Sequence, residues 1–109
     1  MPSSFDLKKA SNAQFMFNLR AENSEIILTS ETYTVKASAE NGIRSARTNA
    51  TKDDRYNRKI SGSQYYFTLE GANGEIIGTS ERYTSTAARD NGIASVKKNA
   101  PTAPVKDLT

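Results

Sequence analysis

The feature that most constrains this chain is an internal duplication. Shifted by 50 residues against itself, it aligns residues 15–50 with 65–100 without a gap, and 18 of the 36 pairs are identical. The identities include Phe17/Phe67, Leu19/Leu69, Asn23/Asn73, Glu25/Glu75, Ile26/Ile76, Ile27/Ile77 and Tyr33/Tyr83. They continue through Thr-Ser-Glu at 29–31 and 79–81, Asn-Gly-Ile at 41–43 and 91–93, and Asn-Ala at 49–50 and 99–100. A period near 50 marks a supersecondary unit, and two copies of it predict a pseudo-twofold domain rather than a solenoid.

A chain of 109 residues is too short for each half to bury a core of its own. We therefore expect a single domain over 1–109, with repeats spanning about 5–58 and 55–109, built around one shared core. Within each repeat, residues 15–21 and 65–71 place apolar side chains at every second position, the period of a half-buried strand. Phe17, Leu19, Phe67 and Leu69 are expected to face the core. Asn23-Ser24 and Asn73-Gly74 read as two-residue hairpin turns, since Asn and Gly tolerate positive φ. That loop length pairs Leu19 with Leu28, Asn18 with Thr29, Phe17 with Ser30 and Arg20 with Ile27, which turns Ile26 and Leu28 inward and Ile27 outward.

From residue 35 and from residue 85 the period changes to that of a helix, expected over 35–47 and 85–97 with Thr34 and Thr84 as caps. Ala39, Ile43, Ala46 and Ala50 form one stripe, matched by Ile93, Val96 and Ala100. Gly42 and Gly92 are read as points where helix backbone presses on a neighbour; the alternative is that Asn-Gly ends a short helix there. Residues 5–9 and 55–60 read as first strands. Residues 105–108 follow the second helix as 55–58 follow the first, so residues 55–60 are expected to close one unit and open the other.

These segments resemble the YegP-like family, small bacterial chains built from one or two copies of a β-rich unit. The resemblance rests on Asn-Gly-Glu-Ile-Ile (73–77), Thr-Ser-Glu-x-Tyr-Thr (79–84), Ala-x-x-x-Asn-Gly-Ile (87–93) and Ser-Val-Lys-Lys-Asn-Ala (95–100). The first copy departs at Ser24 and over 46–48. The resemblance implies an α+β fold of two β-β-β-α-β repeats in one mainly antiparallel sheet, helices on one face, with C-terminal strands exchanged between repeats. It brings no catalytic residues with it.

The absence of cysteine and histidine removes thiolate nucleophiles, imidazole bases and disulfides, and with them the nitrogen and sulfur metal ligands that side chains supply. No catalytic, cofactor or metal residues are assigned, and we expect a protein that is not an enzyme, an uncharacterised enzyme being the third reading after the two binding functions below. Ser30-Glu31 and Ser80-Glu81 are adjacent on strands, so each pair points to opposite faces and cannot form a nucleophile and its base. The carboxylates Glu22, Glu25, Glu31, Asp53 and Asp54 lack any recognised cation-loop spacing and read as solvated surface.

No apolar run approaches the roughly 20 residues of a membrane span, so no membrane contact and a cytoplasmic location are expected. Net charge is +3, with 15 basic and 12 acidic residues interspersed. Two surfaces stand out. The outer sheet face, carrying Met16, Arg20, Ile27, Tyr66 and Ile77, suits an unknown protein partner or self-association. A basic strip of Arg44, Arg47, Arg55, Arg58, Lys59, Lys97 and Lys98 suits phosphate, making weak nucleic-acid binding the alternative.

Overall fold

The computed structural model describes residues 2–109. The alternating segments form β1 (Ser4–Lys9), β2 (Phe15–Arg20), β3 (Ile26–Ser30), β4 (Tyr56–Ser61), β5 (Gln64–Glu70) and β6 (Ile76–Thr79). Helices α1 (Lys36–Asn49) and α2 (Thr86–Asn99) follow β3 and β6, and a short β7 (Val105–Asp107) ends the chain. The seven strands make one sheet in the order β4-β5-β6-β3-β2-β1-β7. All neighbours are antiparallel except β1 and β7. The copies meet at the centre, where Thr29 pairs with Thr79.

Both helices lie on the same face of the sheet, α1 over β1, β2, β5 and β6 and α2 over β3 and β5, so each helix covers strands of both copies. One continuous core results, with Phe5, Leu7, Phe17, Leu19, Leu28, Ile43, Phe67, Leu69 and Val96 fully buried. Tyr56 takes in the second copy the place of Phe5 in the first: each pairs with a buried Leu and meets a buried Phe ring edge-on at 5.7 Å.

The helices run straight through Asn-Gly. An added Cβ at Gly42 would lie 2.8 Å from the Tyr33 hydroxyl oxygen, and at Gly92 2.5 Å from that of Tyr83, so the glycines admit the tyrosine that closes each strand. The helix starts are one residue later than expected. Val35 and Ser85 are the N-caps, not Thr34 and Thr84; Ser85 Oγ accepts the Ala88 N–H at 3.0 Å, while Val35 has no oxygen to offer.

The hairpin register departs from expectation near the turn. Asn18 pairs with Thr29 and Leu19 with Leu28, as the pattern requires, but Arg20 pairs with Ile26. The loop has three residues, not two: Ser24 N–H bonds to Ala21 O, Ala21 N–H bonds to Glu25 O, and Ser24 carries the positive φ of 70°. The mismatch is absorbed by a bulge at Ile27, repeated at Ile77. A bulge puts two consecutive side chains on one side of the strand. Ile27 and Ile77 are therefore core residues, 6% and 5% exposed, and not part of the outer face.

Of the strands that follow a helix, β4 pairs with β5 next to it in sequence, and β7 pairs in parallel with β1 at the other end of the sheet. They arrive differently. At β1 the Pro104 carbonyl accepts the Phe5 N–H at 2.8 Å and the Leu108 N–H bonds to Leu7 O at 2.8 Å. At β4 the Tyr56 N–H is taken by the Asp53 carbonyl of the 3-10 turn just before it. The connecting turn thus supplies at β4 what a separate strand supplies at β1, and β4 remains an edge.

Candidate functional site

The face opposite the helices carries Lys8 on β1, Met16, Asn18 and Arg20 on β2, Thr29 and Thr79 at the centre, Tyr66, Thr68 and Glu70 on β5, and Asn57 and Lys59 on β4. With Ile27 and Ile77 withdrawn, it is a polar face. Arg20 donates to Asp6 at 2.7 Å, Asn18 to Thr29 at 2.9 Å, and Thr68 and Asn57 both donate to Glu70. Its large apolar side chains are Met16 in one copy and Tyr66 in the other. The Arg82 guanidinium stacks over Tyr66 at 4.3 Å. Position 32, the counterpart of 82, is Thr, so only the second copy has this pair. Arg82 was not among the residues singled out from the sequence; its link to Tyr66 crosses from β5 to the segment after β6 and leaves no local spacing signal.

A shallow concavity of about 460 Å³ lies between the copies, lined by Thr29, Ser30 and Glu31 from one and by Thr79, Ser80, Glu81 and Arg82 from the other. Ser30 and Ser80 are engaged in structure. Ser30 Oγ accepts the Phe17 N–H at 2.8 Å and donates to Glu31 O at 2.7 Å; Ser80 does the same with Phe67 and Glu81. Each serine thereby ends its strand, and neither has a base at hand. Burial, then Glu31 and Glu75, hold the Tyr33 hydroxyl above its ordinary pKa. Burial, then Glu81 and Glu25, do so for Tyr83. Both stay protonated phenols at neutral pH. Among the described residues no group of carboxylates is arranged to hold a metal ion, and no helix is long and apolar enough to cross a membrane.

The basic residues do not form one strip. Arg44 bonds to Asn41. Arg47 donates to Ala103 O at 2.7 Å with its guanidinium over Phe5. Arg55 donates to Asn49 at 2.9 Å and reaches Asp54. Arg58 and Lys97 converge on Asp53 at 3.3 and 2.8 Å, Arg58 also meeting Asp90 at 3.4 Å. Lys98 pairs with Glu22 across the copies at 3.2 Å. Lys59 lies on the opposite face, in register with Tyr66.

A family model described as a domain of unknown function, DUF1508, matches the chain twice, over residues 10–57 and 61–107. The UPF0339 protein YegP of Escherichia coli O157:H7 is 56% identical over 55 residues, 50% of each chain. A UPF0339 protein of Bordetella pertussis is 59% identical over 56 residues, 51% of this chain and 50% of that one. The matched stretch thus spans about half the length of these curated relatives. Two solution NMR structures superpose over 100% of the chain. The UPF0339 protein SO3888 of Shewanella oneidensis has a TM-score of 0.93 at 52% identity, with 93% of that chain covered. The E. coli yegP protein of unknown function has a TM-score of 0.94 at 48% identity, with 95% covered.

Proposed function

The chain belongs to the DUF1508 family, and from that premise we propose that it is a non-enzymatic protein-interaction module that docks a partner protein on its outer sheet face. The observation that supports this reading is the uncovered face itself: both helices pack on the other side, leaving the stacked Tyr66–Arg82 pair and Met16 presented among polar neighbours. Tyr, Arg and Met are the side chains enriched at protein interfaces, where rigid aromatic anchors carry most of the binding energy.

The polarity of the face favours a transient partner of a different kind over a permanent homodimer, whose interface resembles a divided core. Because Arg82 has no counterpart in the first copy, the anchor lies on the second. The test is retention of a specific partner from host extract by the wild-type protein and its loss with Tyr66→Ala and Arg82→Ala, while Arg44→Ala retains it. Sedimentation across concentration completes it. A dimer broken by Tyr66→Ala would make the occupant a second copy and overturn the heterologous reading.

Nucleic-acid binding through the basic residues finds less support, because Arg58, Lys97 and Lys98 already face carboxylates. Oligonucleotide titration at two salt concentrations tests it, since phosphate contacts weaken steeply with salt.

A further inference from the structure

The hairpin tip of each copy leans over the helix of the other, and the two grooves so formed differ. Beneath the 71–77 tip, the groove against α1 is narrow, about 220 Å³, and reaches the Tyr33 ring, Gly42 and buried Ile77. Beneath the 21–23 tip, the groove against α2 is broader, about 400 Å³, and stops at Asn91, Ala94, Ser95 and Lys98 without reaching Tyr83.

The two grooves also differ in their residues. The floor of the first groove is Gly71, and the corresponding residue in the second is Ala21. A Cβ at Gly71 would lie 3.1 Å from Asn73 Oδ1 and 3.9 Å from Ser45 Oγ, between two polar atoms that line the groove. The Lys98–Glu22 ion pair spans the second groove at 3.2 Å. The first has Thr48 and Ala72 at those positions and no such strap.

We propose that the α1 groove is a binding site for a primary alkylammonium group. Its lining offers the Glu75 carboxylate and the Tyr33, Ser38 and Ser45 hydroxyls, with no basic residue in the lining itself; the Asn41 amide oxygen is already taken by Arg44. Among the described residues Glu75 has no ion-pair partner. An ammonium carries three donors and one charge, matching a carboxylate flanked by hydroxyls, while Ile76 and Ile77 provide a wall for a short alkyl chain.

The groove is braced. Asn73 Oδ1 accepts the Glu75 N–H at 3.1 Å, Gly71 N–H bonds to Glu75 O at 2.9 Å, and Asn49 Nδ2 holds both Ser45 Oγ and Ser45 O. The site is separate from the outer sheet face and stands or falls independently of it.

The same group occurs on free amines and on lysine side chains, so the test uses both. Labelled full-length protein is titrated with n-butylammonium, with 1-butanol as its neutral counterpart, and with a blocked Gly-Lys-Gly peptide, following amide shifts by NMR. The expected result is a saturable shift of Gly42, Gly71 and Glu75 with millimolar midpoints for one or both cations and none for butanol. Gly92, Ala21 and Glu25 should stay in place. Glu75→Gln should weaken binding at least tenfold. Gly71→Ala, and separately Thr48→Lys with Ala72→Glu, should abolish it; both install residues the other copy carries, and unchanged thermal melting of each variant shows that the fold is retained. No saturable shift, equal shifts in both grooves, or undiminished binding by Glu75→Gln overturns the proposal.

Discussion

Leu28 occupies the space that Gly78 leaves open. The two are equivalent positions of the repeat, and a Cβ built at Gly78 would lie 2.8 Å from Leu28 Cγ and 3.0 Å from Thr29 O. Next to the line where β3 meets β6 there is room for one large side chain, and the first copy supplies it. Gly78→Ala is expected to destabilise the protein by about 1–3 kcal/mol through overpacking. In combination with Leu28→Ala the clash with the Leu28 side chain disappears and only the contact with Thr29 O remains, so the pair should couple by about 0.5–3 kcal/mol in a double-mutant cycle. Urea melts of the four proteins measure it; strict additivity would refute the contact.

Gly92 is a second tight contact, this time between helix and tyrosine. In an exposed helix, Gly→Ala adds about 1 kcal/mol of stability, but here the new Cβ meets the Tyr83 hydroxyl oxygen at 2.5 Å and Cζ at 2.8 Å. Gly92→Ala should therefore lower the melting temperature. Tyr83→Phe, by removing the nearest atom, should restore part of the loss. A stabilised Gly92→Ala would mean that the ring moves aside freely.

How far the sequence discloses this architecture depends on whether a residue's role is local. The strands, both helices and the tight passage at Gly42 and Gly92 are legible because period and side-chain size report them directly. The bulge at Ile27 is not. It arises from a three-residue loop in which position 24, and its counterpart 74, takes positive φ, and an Asn-Ser or Asn-Gly pair fits a two-residue loop equally well. That single residue moves Ile27 and Ile77 from the candidate outer face to the core and leaves Tyr66 and Met16 as its large side chains. The partition of the basic strip was hidden for another reason: Asp53, which meets both Arg58 and Lys97, is brought to them by the chain crossing between copies.

Helix α1 lacks what α2 has. Ser85 accepts the Ala88 N–H at 3.0 Å, whereas Val35 is 54% exposed and caps nothing. Val35→Ser should stabilise the protein by about 0.5–2 kcal/mol, since the apolar side chain it removes is largely in water. Thermal melting checks it, with Ser85→Ala expected to lose a similar amount. An unchanged melting temperature in both variants would show that neither cap matters.

The pH dependence follows from two tethers. Side-chain hydrogen bonds, first from Lys97 and then from Arg58, hold the Asp53 carboxyl below its ordinary pKa. At Asp107 the bond from Lys36 comes first, then those from Thr109. A depressed carboxyl contributes stability that is fully present above the unfolded value near 3.9 and is lost as pH falls through the folded one. Lys36, raised chiefly by its hydrogen bond to Asp107, contributes below its unfolded value near 10.4 and loses that contribution as pH rises through the folded one. Stability should thus be flat across neutral pH and fall below about pH 4. Asp107→Asn should lower the plateau and soften the acid fall, with β7 amides exchanging faster. If hydrogen exchange of β7 is unchanged by Asp107→Asn, the tether does not hold the strand.

Arg58 points a charge inward from β4, the end strand of the sheet. It stands in register with Phe67 as Leu7 stands in register with Phe17, so both point to the helix side. Leu7 is 0% exposed, with β7 beside its strand, while Arg58 reaches out to Asp53 and Asp90. A charge directed inward from an edge strand deters pairing with another chain. In Arg58→Leu that deterrent is gone, and the new side chain joins Ile60, already 65% exposed, beside the open edge of β4. Fold stability should shift by no more than about 0.5 kcal/mol, as for most surface changes. The protein should instead associate through β4, seen as a weight-average mass that rises with concentration in sedimentation equilibrium and falls back when Ile60→Lys is added. A monomer at every concentration would show that the Asp53–Tyr56 turn alone closes this edge.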